Sequence, residues 1–437
     1  MHYLRNEVVE GQQLEVLNEV KWKGQALLGI QGENGTGVTI FPKLLERHML
    51  FIGSIGSGKS VSLFHVMRGL RKYATEDDVF VFFDAKGDYL QKFYRPGDYV
   101  LTNDVDEVPG TVRWNIFEDI MATIPEKREE VIWEIASTLF KEDIEGSSSP
   151  IFATGARDLF AAILCAKIRL AEKGDESLDN HETFISWLQS STDKTVRILL
   201  QKNKDLKWVK NYIDISNDPK TNQSFFMHLY QNIFNIFNGT FRKAGNFSLT
   251  KAIKERGAKA VFLEYDIASA NVLKPIYTLL LDMAMKNALS QKESEVRGRI
   301  FFILDEFPLI PKLNYMDNSL NFGRSLGVRV IAGIQNVGQV HHVYSQSLGE
   351  SILSGFGTVF AFRLFDAPSR MFISNRHGMN KKMVAFAAVN ASKGVQDSIV
   401  DGNVIEDWDI SGLQIGQCIV SPFNGAPFKF SPINYID

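Results

Sequence analysis

The eight residues from Gly53 to Ser60 constrain the fold of this chain more than any other segment. They read Gly-Ser-Ile-Gly-Ser-Gly-Lys-Ser and match the pattern G-x-x-x-x-G-K-S of a phosphate-binding loop. The apolar run His48–Gly53 leads into them and a helix-forming segment follows, which is the context that such a loop requires. A Gly/Ser-rich turn without function is the alternative, and the strand-loop-helix context argues against it.

The loop predicts a site for ATP and Mg²⁺. Its glycines let main-chain N–H groups surround an anion, and the amino terminus of the following helix adds a favourable dipole. We expect Lys59 to reach the β- and γ-phosphates and the Ser60 hydroxyl to ligate Mg²⁺. The residues expected to bind the nucleotide are Gly53, Ser54, Gly56, Ser57, Gly58, Lys59 and Ser60.

A second apolar run ends in two acids and supplies the carboxylates of such a site. The run is Arg299–Asp305, and Glu306 follows it. We expect a strand next to the phosphate loop to bring Asp305 to Mg²⁺, which it would hold through water, and Glu306 to polarise the attacking water as general base. Capping of a following helix is the alternative role of this acidic pair.

Three further positions fit hydrolysis, and each has a structural alternative. Gln335 ends the next apolar run, where it either senses the γ-phosphate or caps the strand. Arg324 precedes that run and is either an arginine finger, acting in trans if the protein forms a ring, or a solvated surface arginine. Asp84 and Lys86 follow another strand, where one of them lies beside the site or the stretch is an ordinary turn.

Apolar runs alternate with amphipathic stretches, which predicts an α/β fold with a mostly parallel sheet and crossover helices. The expected strands are His48–Gly53, Val79–Asp84, Ala260–Asp266, Arg299–Asp305, Val328–Gln335 and Thr358–Leu364. The expected helices between them include Val61–Tyr73, Leu273–Ser290 and Met316–Leu326. Gly416–Phe430 predicts a hairpin around an Asn-Gly turn.

Helical patterns alone dominate from Trp114 to Thr250, which predicts an all-α domain inserted between the second and third strands. The expected parts are a β-rich lead-in (1–47), the first part of the α/β domain with the phosphate loop (48–114), the all-α insertion (115–250), and the second part of the α/β domain with the remaining motifs and the C-terminal hairpin (251–437).

The net charge of −3 conceals an uneven distribution. Ser191–Ala260 carries 13 Lys or Arg residues against 5 acids, with nine aromatic residues between them. Basic groups neutralise phosphates and exposed rings stack on unpaired bases, so this basic stretch is a candidate for DNA contact. The alternative is that the aromatic residues belong to the core and the lysines to a solvated face.

The order of the motifs resembles that of the type IV secretion coupling proteins, the conjugative DNA-transfer ATPases of the TraD and TrwB kind. These belong to the FtsK/HerA group of hexameric motors. The resemblance covers residues 27–430. Ala85 stands where the family usually has Pro. The motifs are Gly53–Ser60, Asp84–Asp88, Asp305–Phe307 and Gly323–Gln335.

The resemblance implies a RecA-like motor domain whose DNA-stimulated ATP hydrolysis moves DNA through the central channel of a homo-hexamer. By motif match, Arg324 becomes the trans-acting finger and Gln335 the sensor. The implied partners are sequence-independent DNA, a relaxase bound to that DNA, and the proteins of the secretion channel. If a membrane anchor helps to hold the ring together, we expect this chain to be monomeric on its own.

No apolar run reaches the roughly 18–20 residues that cross a bilayer, whereas family members typically carry N-terminal membrane helices. We therefore expect a cytoplasmic protein held at the cytoplasmic face of the membrane by partners or by an anchor missing from this sequence. Two other functions stay open: a HerA- or FtsK-like motor in repair or defence, and a nucleotide-gated adaptor that recruits protein effectors to secretion. The helical insertion favours the coupling type, and ATP turnover indifferent to DNA would favour the adaptor.

Overall fold

A computed structural model of the chain describes residues 5–16, 28–40, 42–104, 108–175, 180–213, 219–266, 270–387 and 395–435. Strands and helices alternate through most of these ranges. The strands are β1 Arg5–Glu10, β2 Glu15–Val16, β3 Leu28–Gln31, β4 Gly37–Ile40, β5 Met49–Ile52, β6 Val79–Asp84, β7 Tyr99–Leu101, β8 Ala260–Glu264, β9 Ile300–Leu304, β10 Val328–Ile334, β11 Thr358–Ala361, β12 Met379–Ala387, β13 Val395–Asn403, β14 Cys418–Ser421 and β15 Phe428–Phe430.

The helices cover the sheet and fill the long interval between β7 and β8. They are α1 Pro42–Leu45, α2 Lys59–Lys72, α3 Asp88–Phe93, α4 Ile116–Met121, α5 Arg128–Leu139, α6 Lys141–Gly146, α7 Ile151–Ala171, α8 His181–Ser190, α9 Asp193–Gln201, α10 Pro219–Ile236, α11 Leu249–Glu255, α12 Ala270–Leu289, α13 Met316–Asn321, α14 Val337–Tyr344, α15 Gln346–Ser354, α16 Ala367–Asn375 and α17 Asp407–Ser411. Within the described ranges, no helix combines the length and the apolar character needed to span a membrane.

Ten strands of the described chain form one sheet in the order β2-β15-β14-β11-β5-β10-β9-β6-β8-β7. The strands from β11 to β7 are parallel, whereas β14 runs antiparallel to both β11 and β15. This arrangement confirms the predicted α/β class with a mostly parallel sheet. Since the carboxyl ends of parallel strands meet at one edge, the residues that follow β5, β6, β9 and β10 come together there.

The central strands are buried on both faces, which explains their unbroken apolar sequence. In β5, Leu50 packs into the cluster that includes α12, while Phe51 packs into the cluster on the opposite face with α2. Phenylalanine rings on this second face stack across strands, Phe51 on Phe360 at a centroid distance of 4.6 Å. Each such ring buries a large apolar area and holds neighbouring strands in register.

The predicted strands and the C-terminal hairpin are all present, with ends that differ by a few residues. The prediction of a helix over Met316–Leu326 is wrong in its second half, because α13 ends at Asn321. A tight turn follows, in which the Val328 N–H donates to the Gly323 carbonyl at 2.9 Å. Gly327 closes this turn with φ +80°, a left-handed conformation that glycine adopts readily.

Several strands of the structure are not among those predicted from the sequence. β7 is a three-residue strand at the edge of the sheet, and β12 and β13 form a long antiparallel hairpin. The strands of the predicted lead-in, residues 1–47, belong to three different sheets. β1 pairs with β12, β2 lies beside β15 in the main sheet, and β3 and β4 form a small sheet of their own.

Helices α4 to α11 follow β7 and precede β8, and the described residues between these strands include no strand beyond isolated bridges. The helical stretch therefore follows β7, one strand later than the predicted position directly after β6. The reason is that β7 is too short to give a sequence signal. The two ends of the helical stretch lie side by side, since the Asn115 N–H donates to the Phe247 carbonyl at 2.9 Å.

A buried carboxylate fastens these two ends together. Asp119 has no exposed surface, and it accepts hydrogen bonds from the Ser248 hydroxyl at 2.6 Å and from the Thr250 N–H at 2.7 Å. The Trp114 indole N–H is a third donor to the same carboxylate. One side chain thus satisfies donors from both ends of the helical stretch.

Replacing Asp119 by alanine is expected to lower the free energy of unfolding by about 3 kcal/mol or more, because it leaves buried donors without an acceptor. Urea denaturation followed by circular dichroism measures the change. Glu126→Ala, an exposed glutamate of the same stretch, is the control and is expected to leave the midpoint nearly unchanged. A midpoint for Asp119→Ala equal to that of the control would contradict the role of this carboxylate.

Candidate functional site

The phosphate loop joins the carboxyl end of β5 to the first turn of α2. The Gly53 N–H donates to the Ile334 carbonyl of β10 at 3.2 Å. On the other side, the Ser54 N–H donates to the Arg363 carbonyl, just beyond β11, at 3.1 Å. The two strands beside β5 therefore fix the point at which the loop leaves the sheet.

The loop has the conformation of an anion cradle. Gly56 and Gly58 have φ of +73° and +102°, which turns successive main-chain N–H groups inward. Gly416 closes over the loop: its N–H donates to the Ser57 carbonyl at 3.0 Å, and a Cβ on Gly58 would lie 3.0 Å from its Cα. The Ser57 hydroxyl is buried and finds no hydrogen-bond partner in the described part of the chain. A bound phosphate would satisfy it.

Lys59 and Ser60 begin α2 and meet the end of β9. The Ser60 hydroxyl donates to Asp305 Oδ2 at 3.2 Å. Lys59 Nζ lies 3.6 Å from Asp305 Oδ1 and 4.0 Å from Glu306 Oε1. The side chains of Lys59 and Asp305 are only 8% and 9% exposed, so their charges interact with little screening by water. The structure therefore brings together the lysine, the hydroxyl and the two carboxylates identified in the sequence.

The carboxylates do not come from the strand next to the phosphate loop, as predicted, because β10 lies between β5 and β9. Asp305 must therefore reach across β10 to contact Ser60. Gly333 in β10 makes this possible, since a Cβ there would lie 2.1 Å from the Asp305 carbonyl oxygen and 2.6 Å from Oδ1. A glycine inside a strand often marks such a close approach.

The surroundings of Asp305 fit a divalent cation. Burial raises the pKa of Asp305, the Lys59 ammonium opposes that shift, and the Glu306 carboxylate adds to it. Asp305 Oδ1 is buried, and within the described part of the chain it has no partner at hydrogen-bond geometry. Carboxylate and hydroxyl oxygens are ligands that Mg²⁺ prefers. Ser60 and Asp305 thus provide suitable atoms for the metal role expected of them.

The Glu306 carboxylate lies between two other groups identified in the sequence. Its Oε1 is 3.1 Å from Lys86 Nζ, and its Oε2 accepts a long hydrogen bond of 3.5 Å from the Gln335 amide. Burial alone would lower the pKa of Lys86, but the hydrogen bond and the charge of Glu306 raise it above its ordinary value. Lys86 and Gln335 therefore both contact the expected general base.

Asp84 and Lys86 differ in what they contact. The Asp84 carboxylate accepts main-chain N–H bonds from Lys86 at 3.3 Å and from Tyr89 and Leu90 at 2.9 Å. Burial raises the pKa of Asp84, and these hydrogen bonds oppose the shift. Asp84 therefore stabilises the turn and the start of α3, whereas Lys86 reaches the site.

Arg324 lies away from this cluster. It belongs to the turn at the amino end of β10, whereas Gln335 follows the carboxyl end, and a seven-residue strand spans roughly 20 Å. Its side chain is 46% exposed and pairs with Glu46 at 3.0 Å. Arg324 is thus too far away to serve the phosphate loop of its own chain, which leaves a surface role or a role in trans.

Most aromatic residues of the basic stretch belong to the core, which is the alternative that the sequence left open for them. Trp208 is an exception, being 48% exposed and stacked on Trp133. Three exposed lysines, at 202, 204 and 207, lie close to it in sequence. The buried rings are Phe225, Phe226, Phe237, Phe241 and Phe247.

Three residues of the site are not among those predicted from the sequence. Gly333 is one, and its signal is an isolated glycine inside an apolar run. Tyr89 is another: burial, together with the negative charge of Asp305, raises the pKa of its phenol well above the ordinary value. Gly416 is the third, and no local pattern marks it, because its contact with the loop depends on chain that is distant in sequence.

The glycine cradle at a strand end, the lysine and hydroxyl on the following helix, and the acidic pair across the sheet define a P-loop nucleoside triphosphate-binding protein. The finer assignment follows from a match to a family model over residues 34–403. The chain belongs to this family, the type IV secretion-system coupling protein DNA-binding domain. The resemblance seen in the sequence is confirmed.

Two curated relatives are also named coupling proteins. Coupling protein TraD of Escherichia coli (strain K12) is 23% identical over 322 residues, which cover 71% of this chain and 41% of TraD. Type IV secretion system-coupling protein VirD4 of Bartonella henselae (strain Houston 1) is 24% identical over 274 residues, which cover 61% of this chain and 42% of VirD4. The matches thus span about two fifths of these relatives.

Solved structures of TrwB share the fold. The unbound bacterial conjugative coupling protein TrwBΔN70 has a TM-score of 0.73 at 19% identity and covers 100% of this chain and 94% of its own. TrwB in complex with ADP and Mg²⁺ has a TM-score of 0.70 at 18% identity and covers 100% of this chain and 95% of its own. The predicted α/β fold with a mostly parallel sheet and small β elements near both ends is confirmed.

Replacing Gly333 by alanine is expected to weaken the binding of magnesium with a non-hydrolysable ATP analogue by about tenfold or more. The new methyl group would occupy the space of the Asp305 carbonyl oxygen and Oδ1, so the carboxylate must move away from Ser60. Isothermal titration calorimetry measures the affinity.

Gly338→Ala is the matched control, because a Cβ at that position in α14 would meet only Asn336 Oδ1, at 3.2 Å. Circular dichroism checks that both variants fold. Equal affinities in the two folded variants would show that Gly333 does not position Asp305.

Proposed function

We propose that this chain is the ATPase of a conjugative coupling protein, which moves DNA toward a type IV secretion channel. The observation that carries the proposal is the convergence of Lys59, Ser60, Asp305 and Glu306 at one edge of the sheet, in a member of the coupling-protein family. The complex of TrwB with ADP and Mg²⁺ supports ATP and Mg²⁺ as the ligands of this edge.

The positions of the site residues support a division of roles in hydrolysis. The N–H groups of the loop and the Lys59 ammonium bind the phosphates, and Ser60 and Asp305 hold Mg²⁺. Held by these two residues, Mg²⁺ would supply positive charge against the phosphates. Glu306 orients the attacking water and accepts its proton. Gln335 contacts Glu306 and is placed to respond to the loss of the γ-phosphate.

Arg324 acts on the nucleotide of a neighbouring subunit. Its place at the amino edge of the sheet supports this role, because it cannot reach its own phosphate loop. A homo-hexameric ring sets the arginine of one subunit against the loop of the next, where a finger stabilises the charge of the transition state. We propose that the chain is monomeric before assembly. In the single chain, the Arg324 guanidinium forms an ion pair with the Glu46 carboxylate.

Contact with DNA needs only phosphate neutralisation, since a motor that moves along DNA does not read bases. The exposed lysines beside Trp208 are candidates for that contact, and they lie in the proposed all-α domain, residues 115–250, between the two parts of the motor. The partners we propose are relaxase-bound DNA and the proteins of the secretion channel. These would hold the ring at the cytoplasmic face of the membrane.

ATP turnover is expected to rise when DNA is added and to rise steeply with protein concentration, because a productive site requires two subunits. Phosphate release is measured with single- and double-stranded DNA over a series of protein concentrations. Lys59→Ala is the control for contaminating activity and is expected to abolish turnover. Turnover that no DNA changes, together with binding of a relaxase or effector, would favour a nucleotide-gated adaptor instead.

Mixing two inactive variants tests the finger. Lys59→Ala lacks the phosphate contact and Arg324→Ala lacks the finger, so each alone is expected to be nearly inactive. In an equal mixture, about one quarter of the subunit contacts join an intact loop to an intact arginine, and activity should recover to that extent. No recovery under conditions in which the unmodified chain assembles would contradict action in trans.

A further inference from the structure

Lys86 places a second ammonium group beside the phosphate loop. Its Nζ lies 3.1 Å from Glu306 Oε1, and the same oxygen lies 4.0 Å from Lys59 Nζ. The two ammonium groups are therefore at most about 7 Å apart. One phosphoryl group can bridge cations at this separation, because each charge-assisted N–H···O contact spans about 2.8 Å. A terminal phosphate held by Lys59 thus lies within reach of Lys86.

The main chain at Lys86 is fixed, whereas its side chain can move. The Asp84 carboxylate accepts the Lys86 N–H, and Gly87 has φ +73°, so the turn is well defined. The Lys86 side chain is 53% exposed, compared with 14% for Glu306. A long exposed stem on a fixed turn allows the ammonium to change partner without a change in the fold.

Lys86 also restrains the expected general base. One Glu306 oxygen accepts a hydrogen bond from Lys86, and the other contacts Gln335. A carboxylate held in this way is not free to accept a proton from water. A γ-phosphate presents more negative charge and more acceptor oxygens than one carboxylate, so it competes for the ammonium.

We propose that Lys86 is a positioning residue that exchanges between Glu306 in the nucleotide-free chain and the terminal phosphate of a bound nucleoside triphosphate. The exchange releases Glu306 toward water only when a third phosphate is present. The inference rests on the proposed function only in that a nucleotide binds at this loop. It does not depend on DNA or on a ring.

The exchange has a consequence for binding that is separate from catalysis. A diphosphate lacks the terminal group and leaves Lys86 on Glu306, so Lys86 contributes to the preference for triphosphate over diphosphate. Glu306→Gln removes the charge that competes for Lys86. It should therefore strengthen triphosphate binding, but only while Lys86 is present.

The test is a double-mutant cycle on the full chain. The affinities of a non-hydrolysable ATP analogue and of ADP, each with Mg²⁺, are measured by titration calorimetry for the unmodified chain, Lys86→Met, Glu306→Gln and the double variant. Glu306→Gln is expected to bind the analogue about fivefold more tightly, and Lys86→Met about tenfold more weakly, with ADP affinity changed less than about twofold. The double variant is expected to match Lys86→Met.

Lys86→Arg keeps the positive charge and is expected to retain most of the preference for the triphosphate. Lys173→Met, an exposed lysine at the end of α7, is the matched control and should leave both affinities unchanged. Equal weakening of the analogue and of ADP in Lys86→Met would overturn the exchange. Tighter binding of the analogue by the double variant than by Lys86→Met would also overturn the exchange. A chain that completes the cycle as expected but shows no DNA-stimulated turnover would keep the exchange and lose the proposed motor function.

Discussion

The contact between Asp305 and Ser60 across β10 is the interaction on which the rest of the site depends. Lys59 is almost completely buried at the start of α2, and an unpaired ammonium in such a place costs several kcal/mol. Asp305 supplies the compensating charge, although its strand is separated from β5 by another strand. Because Gly333 in β10 has no side chain, Asp305 can lie close against that strand and reach α2. The same contact neutralises the buried ammonium and brings together the oxygens that a divalent cation needs.

Every cation that we assign to hydrolysis is paired with a carboxylate in the isolated chain. The pairs are Lys59 with Asp305, Lys86 with Glu306, and Arg324 with Glu46. The cations differ in exposure: the Lys59 side chain is buried, whereas those of Lys86 and Arg324 are about half exposed. The two exposed side chains can leave their partners more freely than Lys59 can. In the function we propose, the nucleotide and a neighbouring subunit would therefore replace existing partners of these cations.

Much of this arrangement is predictable from the sequence, because the central strands are buried on both faces and their ends carry recognisable side chains. What sequence patterns do not encode is the lateral order of strands, and so the position of β10 between β5 and β9 was missed. α13 ends at Asn321, and a turn closed by the left-handed backbone of Gly327 follows it, which the apolar spacing alone does not reveal. Edge strands such as β7 are too short, and β12 and β13 too polar, to stand out as strands.

The junction at Asp119 determines how the helical stretch is connected mechanically to the site. Both of its ends meet at that carboxylate, and the chain then passes through α11 into β8, which lies directly beside β6. Beyond β8, the Tyr265 N–H donates to the Asp84 carbonyl at 2.9 Å, at the turn that carries Lys86. The helices and that turn are therefore connected in series. A displacement of the helices would therefore meet the turn of Lys86 before the phosphate loop, because β9 and β10 lie between β6 and β5.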